Sequence, residues 1–298
     1  MMQTPDVVVV GAATRDLNES DPRGWLLGGG VTFGALALAR LGLRTGVVLG
    51  LDDEASSASE LDLIRQAGAE IVIVPLERGP VFLNVETPAG RVQTCESVSD
   101  PIPVEALPTA WRDAGTWMLA PVASELTDDW AAIPPEGACV ALGWQGILRV
   151  LRDGERVMQL RPGPSPLLAR ADIVSVSRHD IPGDLDLREL GAWLAPSADV
   201  VLTAGLLGGM LIHFRDGRIV GSRVYASIAS RQEVDPAGAG DTMLSGLVAA
   251  RLALGGEGQL RGRDLRIGAA VASVLVEGPG MNAMPRFAQL RERLQGGV

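Results

Sequence analysis

A glycine-rich segment with an acidic residue at its end, residues 235–242, carries the clearest chemical signal in the chain (Asp-Pro-Ala-Gly-Ala-Gly-Asp-Thr). Gly238 and Gly240 allow backbone angles that other residues resist, and Ala239 keeps the segment free of bulky side chains. The apolar run that follows predicts a helix, whose free N–H groups and positive dipole end would bind an anion such as phosphate. Asp241, at the start of this helix, is then either an N-cap or a general base beside a reacting phosphoryl group.

The basic residues limit how phosphate could be bound. All 26 of them are arginine, and the sequence contains no lysine. This excludes a P-loop, the protein-kinase fold and Schiff-base chemistry, because each of them needs a lysine side chain. If the protein handles phosphate, it must use backbone N–H groups, helix dipoles, arginine and metal ions.

The composition predicts a globular protein without nucleic-acid or membrane partners. The chain has 298 residues, of which 47% are apolar, and its 26 basic and 36 acidic residues give a net charge of −10. The two cysteines and two histidines form no zinc-binding pattern, and isolated cysteines suit a reducing compartment. Residues 1–6 show no secretion signal, and the apolar stretch 201–214 is too short to span a bilayer. We therefore expect a cytoplasmic protein.

Strand and helix signals alternate along the chain, which predicts an α/β fold with a mostly parallel sheet. Residues 7–10 are four consecutive valines followed by a glycine, a pattern typical of a strand buried on both faces. Further strands are predicted at residues 45–49, 71–74, 116–120, 138–142, 173–177 and 200–204, and helices at residues 33–43, 56–67, 187–194, 242–254 and 265–276.

Two segments predict β-hairpins instead. Residues 80–98 alternate polar and apolar side chains around a Pro-Ala-Gly turn, and we interpret an insertion at about 76–98 as a lid or an oligomer interface. A second hairpin is predicted at residues 211–220. A two-stranded lid is only marginally stable by itself. We therefore consider a homodimer in which the lids of two protomers pair. Without repeats or linkers, residues 1–298 are predicted to form a single domain.

The segment 235–242 resembles the second signature of the ribokinase-like (PfkB) carbohydrate kinases, Asp-x-x-Gly-Ala-Gly-Asp before an apolar helix. Four other segments are similar to that family in order and position: residues 7–16 (first strand and sugar-binding Asp), 28–52 (Gly-Gly substrate loop and first signature), 203–205 (Thr-x-Gly nucleotide loop) and 278–285 (closing turn). The resemblance implies a ribokinase-like three-layer sandwich with a mostly parallel central sheet and a small β-hairpin lid.

The resemblance also implies an activity, the ATP-dependent phosphorylation of a hydroxyl on a small polyol, sugar or nucleoside. Asp241 would take the proton of that hydroxyl as general base. The N–H groups of Gly238, Ala239 and Gly240 would hold the charge that develops on the phosphoryl oxygens. The acceptor would be a small molecule, with neither nucleic acid nor membrane as a partner.

Asp16 is our first candidate for binding the acceptor, since a carboxylate after a buried strand can accept two hydroxyl hydrogen bonds. The plainer alternative is a turn Asp before Asn18. In the lid and substrate loop the chain is similar to the myo-inositol-kinase-like branch. This likeness adds the candidate acceptor contacts Gly28, Gly29, Thr32, Asn84, Gln145 and Arg149, with Arg149 as a cationic clamp. A surface ion pair is the alternative for Arg149, and an exposed strand position is the alternative for Asn84 and its neighbour Gln93.

The donor side is also implied by the family resemblance. It assigns nucleotide contacts to Thr203, Gly205, Gly208 and Asn282. The family's Asn-x-x-Glu, which holds the water shell of Mg²⁺, is Ser-Arg-His-Asp at residues 177–180. Asp180 would then hold the metal through water, or else be an acid at a helix start. Asp235 either caps a turn or contributes to a monovalent-cation site.

Two other functions are alternatives to a kinase. A catalytically inactive sugar- or nucleotide-binding regulator on the same fold is favoured by the altered residues 177–180. A dinucleotide-dependent oxidoreductase is disfavoured, because Gly11 is not followed by the second and third glycines of that fingerprint. The substrate itself stays open, since Val81, Glu86 and Gly143 depart from the inositol-kinase-like pattern.

Overall fold

A computed structural model describes residues 3–87, 90–253 and 258–295. The strands are β1 (Val7–Ala12), β2 (Thr14–Leu17), β3 (Trp25–Gly28), β4 (Thr45–Leu51), β5 (Glu70–Pro75), β6 (Val81–Thr87), β7 (Gly90–Ser97), β8 (Thr116–Leu119), β9 (Cys139–Gly143), β10 (Arg149–Val150), β11 (Glu155–Arg156), β12 (Met158–Gln159), β13 (Ile173–Ser177), β14 (Ser197–Thr203), β15 (Gly209–Arg215) and β16 (Arg218–Tyr225). The helices are α1 (Gly30–Arg40), α2 (Asp53–Ser56), α3 (Glu60–Gln66), α4 (Pro166–Arg170), α5 (Leu187–Gly191), α6 (Ala239–Ala253), α7 (Gly262–Leu275) and α8 (Phe287–Gln295). In these described ranges, none of the helices combines the length and apolar character needed to cross a membrane.

Nine strands form the central sheet, in the order β16-β15-β14-β13-β9-β8-β1-β4-β5. Neighbours from β14 to β5 pair in parallel, while β15 and β16 extend the sheet as an antiparallel edge. The four valines of β1 are completely buried, as expected for a parallel strand covered on both faces. The prediction of a mostly parallel sheet is confirmed, and so is the second hairpin, formed by β15 and β16.

Helices and short 3-10 turns cover both faces of this sheet. On one face, α1, α3 and α6 contribute Leu36, Leu61 and Leu247 to a single apolar cluster. The cluster on the other face contains four fully buried tryptophans, Trp111, Trp117, Trp130 and Trp144. The three-layer α/β sandwich is therefore confirmed.

The lid is larger than the predicted hairpin. β6 and β7 do pair as an antiparallel hairpin, although residues 88 and 89 of its turn lie outside the described residues. They belong to a five-stranded sheet, β11-β7-β6-β2-β3, which we call the lid sheet. β2 follows β1 directly and pairs in parallel with β6. Such short strands are stabilised by partners distant in sequence, so local patterning did not predict them.

Helix boundaries differ from the predictions where burial hides the periodicity. α1 starts at Gly30 instead of residue 33, because residues 30–39 are all buried and no polar face marks its beginning. The predicted helix 56–67 corresponds to α3, which starts only at Glu60. The separate short helix α2 precedes it, and the Asp52 side chain caps α2 by accepting from the Ala55 N–H. The predicted helix 187–194 ends at Gly191. Helix α6 begins at Ala239, and residue 254 at its predicted end lies outside the described residues.

Candidate active site

The candidate residues collect at the carboxyl ends of the parallel strands. Asp16 follows β1, Gln145 and Arg149 follow β9, Asp180 follows β13, and Thr203 is the last residue of β14. This edge is where open α/β sheets bind their ligands, because the loops that leave the strands meet there.

The glycine-rich loop leads into α6 through a left-handed turn. Gly238 has φ 74°, and a Cβ added there would lie 2.3 Å from Cδ1 of Phe33, so the loop packs directly against that ring. Ala239 and Gly240 form the first turn of α6. The Ala239 N–H donates to the Pro236 carbonyl at 3.2 Å, so this predicted anion-hole donor is already used in a backbone turn. Gly240 is exposed, and a Cβ there would meet open space.

Asp241 is the third residue of α6 and lies against the start of α1. A Cβ added at Gly30 would lie only 2.7 Å from Asp241 Oδ1, so the carboxylate occupies the space that this glycine leaves. The pKa of Asp241 is raised from 3.8 to about 6. Burial is the largest cause of this net shift; the charge of Arg149 opposes it and the charge of Asp180 adds to it. A carboxylate with this pKa is ionised at neutral pH and is a stronger base than an exposed aspartate.

Asp16 lies at the other end of the same glycine segment. A Cβ added at Gly28 would lie 2.4 Å from Asp16 Oδ2 and 2.5 Å from Thr14 Oγ1. Thr14 and Asp16 are on β2, beside Gly28 at the end of β3. The segment 28–30 is therefore flanked by two carboxylates. A side chain at Gly28 would displace Asp16, and one at Gly30 would displace Asp241.

The structure contradicts the predicted contact between Thr32 and the acceptor. The Thr32 side chain is completely buried, and its hydroxyl donates to the carbonyls of Gly28 and Gly29 at 2.9 and 2.8 Å. Its one proton is thus used within the loop. Gly29 itself has φ 98°, and a Cβ added there would lie 2.6 Å from the Ala12 carbonyl oxygen. Thr32 therefore fixes the glycine segment from inside.

Gln145, Arg149 and Asp180 form a polar group near Asp241. The side-chain amide of Gln145 donates to both carboxylate oxygens of Asp180, at 3.1 and 3.0 Å. The Arg149 guanidinium lies 5.8 Å from the centre of the Phe82 ring in the lid sheet. His179, between Arg178 and Asp180, is exposed.

Asn84 and Gln93 face each other across the lid hairpin. They are register partners on β6 and β7, and the Gln93 Nε2 donates to Asn84 Oδ1 at 2.9 Å. Phe82, two residues before Asn84, is on the same face of β6 and packs against Val122 in the main body. The pair is thus carried by the face of the lid sheet that turns towards the central sheet.

The residues predicted to bind the nucleotide lie in two segments, residues 203–208 and the turn that carries Asn282, and the second of these is bonded to the glycine-rich loop. Thr203 donates to the Val176 carbonyl at 3.4 Å, and the turn after it contains Gly205 and Gly208, both with positive φ. Asp235 accepts from the N–H groups of Ala237 and Gly280, at 2.9 and 3.0 Å. These bonds join the loop 235–241 to the 3-10 turn Gly280–Ala283, which carries the exposed Asn282. Asp235 thus caps a turn, the first of its two interpretations.

The donor set at this edge fits Mg²⁺ only in its outer coordination shell. Throughout residues 3–87, 90–253 and 258–295, no three His, Cys, Asp or Glu side chains are grouped as ligands for a metal ion. Asp180 is the carboxylate beside the loop, and Gln145 already donates to both of its oxygens. Since Mg²⁺ keeps much of its water and takes substrate phosphates as ligands, contact with Asp180 through water is compatible with this arrangement.

Glu125 is a buried acid near the site that no motif in the sequence indicates. Its carboxylate is completely buried and accepts hydrogen bonds from the N–H groups of Ala12, Val122 and Ala123. Burial raises its pKa, and these hydrogen bonds oppose that rise. One feature of the sequence could have indicated it: Glu125 is the single acidic residue among the small or apolar side chains of residues 120–126, directly after β8.

No sequence profile of a protein family matches the chain, and no curated protein sequence does. Solved structures do match. The chain is similar to a pyrophosphate-dependent kinase in the ribokinase family complexed with a pyrophosphate analog and myo-inositol (TM-score 0.74, 20% identity, 96% of this chain and 99% of that chain). It is also similar to Arabidopsis thaliana ribokinase complexed with ribose and ATP (0.68, 20%, 98% and 99%) and to Methanocaldococcus jannaschii nucleoside kinase (0.68, 13%, 99% and 99%). Because these similarities extend over almost the whole of each chain, the protein has the ribokinase-like fold.

Proposed function

We propose that this protein is a kinase that phosphorylates a hydroxyl group of a small polyol or sugar. The observation that carries the proposal is the position of Asp241. It lies in the first turn of a helix, directly after a glycine loop suited to phosphate, and its carboxylate abuts the glycine segment that Asp16 flanks. This position supports a role for Asp241 as a base between a site for the donor and a site for the acceptor.

The reaction would follow from this arrangement. Asp241 accepts the proton of the acceptor hydroxyl, whose oxygen forms a bond to the terminal phosphorus of the donor while the bridging P–O bond breaks. The leaving group departs as ADP from ATP, or as phosphate from pyrophosphate. Because the Ala239 N–H is bonded to the Pro236 carbonyl, the N–H groups of Gly238 and Gly240 and the Arg149 guanidinium are left to stabilise the negative charge on the phosphoryl oxygens. Mg²⁺, when bound, would neutralise charge on the donor, with Asp180 contacting its water shell.

The side chains at the site and the similar structures favour particular donors and acceptors. We expect ATP as donor, and pyrophosphate is included because one similar structure is of a pyrophosphate-dependent kinase. For the acceptor we favour a cyclic polyol, since Asp16, Asn84 and Gln93 offer several hydrogen-bonding groups to neighbouring hydroxyls. The similar structure that contains myo-inositol supports this choice.

An acceptor panel tests the proposal directly. Purified protein with Mg²⁺ would be given ATP or pyrophosphate together with inositols, hexoses, pentoses and nucleosides, and phosphorylated product would be detected by mass spectrometry. We expect turnover with at least one polyol or sugar. Folded protein that phosphorylates none of them with either donor would contradict the proposal.

A ligand-binding regulator without turnover is the second candidate. It is favoured by the Gln145 amide, which donates to both oxygens of Asp180 at the position implied for the metal. Calorimetry separates the two functions. A regulator would bind acceptor and donor without forming product, and its affinities would be the same in an Asp241→Asn variant.

Arg149 should control the pH dependence of the reaction. Its positive charge lowers the pKa of Asp241, so Arg149→Met should raise that pKa above its value of about 6. The acid limb of kcat/KM would then move to higher pH, because more Asp241 is protonated at any given pH. Arg152→Met is the matched control, since Arg152 is exposed and lies beside Glu155. An acid limb at the same pH in both variants would show that Arg149 does not act on Asp241.

Asn84 should contribute to acceptor binding and not to donor binding. Asn84→Leu removes the amide that Gln93 contacts, and we expect the acceptor KM to rise about tenfold while the donor KM stays within about twofold. Val85→Asn is the control, because this exposed neighbour lies on the opposite face of β6. Equal changes in the two KM values for Asn84→Leu would exclude a specific role in the acceptor site.

A further inference from the structure

The turn that follows β8 contains a fully buried carboxylate surrounded by backbone donors. Ala12 N–H donates to Glu125 Oε1 at 2.9 Å, and Ala123 N–H donates to Oε2 at 2.8 Å. The Val122 N–H lies 3.1 and 3.0 Å from the two oxygens. We call residues 120–126 the Glu125 turn.

The backbone of this turn is held in an unusual conformation. Ser124 has φ 58°, in the left-handed region that residues other than glycine seldom adopt. This conformation lets the chain curl back so that the N–H groups of Val122 and Ala123 meet the side chain of Glu125. Conformations of this kind cost free energy and persist where the surrounding contacts determine them, often at functional sites.

The Glu125 turn contacts the glycine segment beside Asp241. The Glu125 carboxylate accepts from the Ala12 N–H. The carbonyl oxygen of the same Ala12 is so close to Gly29 that a Cβ added to Gly29 would lie 2.6 Å from it. At the beginning of the turn, the Ala120 Cβ lies 3.4 Å from the position of a Cβ on Gly30, the glycine that abuts Asp241. The turn therefore packs against the glycine segment that abuts Asp241, the proposed base.

The same turn also contacts the lid sheet and the segment that carries Arg149. Val122 and Ala123 share an apolar cluster with Phe82 and Cys95 of the lid. The hydroxyl of Ser124 donates to the Gly146 carbonyl at 3.2 Å. A Cβ on Gly146 would lie 2.0 Å from the Pro121 carbonyl oxygen, so the two backbones are in close contact. Three parts of the proposed acceptor site thus meet at one turn.

We propose that Glu125 is a positioning residue for the acceptor site, which holds the glycine segment, the lid sheet and the Arg149 segment in register around the acceptor. The inference rests on the proposed kinase function. Glu125 does not touch the substrate, and it acts through Ala12, Val122 and Ala123. Its charge is essential to this role, because all of its partners are N–H donors and both of its oxygens accept.

Glutamine cannot replace Glu125 in this geometry. Its amide would have nearly the same shape, but one oxygen would become an NH₂ group facing backbone N–H groups, so at least one buried donor would lose its partner. Aspartate keeps the charge and two accepting oxygens but is shorter by one methylene. We therefore expect Glu125→Gln to disturb the turn more than Glu125→Asp does.

The test compares these variants with a buried carboxylate elsewhere. Asp199 is matched to Glu125 in burial and also accepts a backbone N–H, from Leu260, but it lies near the amino end of β14, away from the site. Acceptor KM, donor KM and thermal unfolding would be measured for Glu125→Gln, Glu125→Asp and Asp199→Asn. Amide hydrogen exchange of peptides covering residues 10–16 and 26–32 would be followed in parallel.

The expected result is selective. Glu125→Gln should raise the acceptor KM about tenfold or more, with the donor KM within about twofold, and should speed exchange in both peptides. Glu125→Asp should show a smaller rise in acceptor KM and a smaller increase in exchange. Asp199→Asn should lower the unfolding temperature but change neither the acceptor KM nor the exchange of the two peptides. If Glu125→Gln fails to fold, Glu125→Asp serves alone, with a smaller rise in acceptor KM expected.

Two results would overturn the inference. The first is an unchanged acceptor KM in the folded Glu125 variants, and the second is faster exchange spread equally over the whole chain. If the wild-type protein phosphorylates nothing, the kinase proposal fails separately, and hydrogen exchange still decides whether Glu125 holds the glycine segment.

Discussion

Replacing Asp241 with asparagine should lower kcat by about 10²–10⁴-fold, the usual contribution of a positioned general base. The amide has almost the same shape, so the loop and α6 should keep their structure, and the donor KM should change little. Product formation under saturating donor and acceptor is the measurement. A variant that retains wild-type kcat would show that Asp241 is not the general base. The N-cap alternative does not fit its position, because Asp241 is the third residue of α6.

The same substitution should make the protein more stable at neutral pH. Burial raises the pKa of Asp241 from 3.8 to about 6, so the folded state is penalised when this group ionises. The penalty is absent below the unfolded pKa, grows as pH rises between about 4 and 6, and is complete above that range. Its size is at most about 3 kcal/mol, at 1.36 kcal/mol for each unit of pKa.

Denaturant unfolding of the two proteins at pH 4 and pH 8 would measure this effect. Asp241→Asn should gain stability relative to wild type at pH 8, and the gain should vanish towards pH 4. A difference that does not vary with pH would mean that the carboxylate is not desolvated in the folded protein. Together with the loss of kcat, the expected gain would show stability given up for a reactive base.

Gly238→Ala should damage the loop that precedes Asp241. Gly238 has φ 74°, where an L side chain costs roughly 1 kcal/mol, and the added methyl would lie 2.3 Å from the buried Phe33 ring. Overpacking of this kind adds roughly 1–3 kcal/mol. We expect the free energy of unfolding to fall by about 2–4 kcal/mol and the donor KM to rise, because the loop N–H groups would be displaced from the phosphate.

Gly240→Ala, two residues later, is the control for that variant. Gly240 is in the first turn of α6, and a Cβ added there meets nothing within 4 Å. Alanine favours a helix over glycine by about 1 kcal/mol, so this variant should be as stable as wild type or more so. If the two variants unfold at the same denaturant concentration, then the contact with Phe33 does not restrict the loop.

Much of the central sheet could be predicted from the sequence because its signals are local. Four valines in β1 and the glycine at the end of α1 are short patterns that have few other structural solutions. The lid sheet was predicted only in part, since β2 and β3 are four residues long, and β2 joins this sheet by pairing with β6, which lies more than sixty residues further along the chain. The start of α1 was misplaced because buried residues surround it on every side.

By itself, the sequence determined the glycine loop, the helix after it and the acid between them, because adjacent residues encode a turn and a helix start. Only the tertiary structure decided what surrounds that acid. Gly30 abuts Asp241, Thr32 turns its hydroxyl inward, and Glu125 holds an N–H group 113 residues away in sequence. Burial, pKa and packing depend on atoms that the chain brings together from distant positions, and no short pattern of residues encodes them.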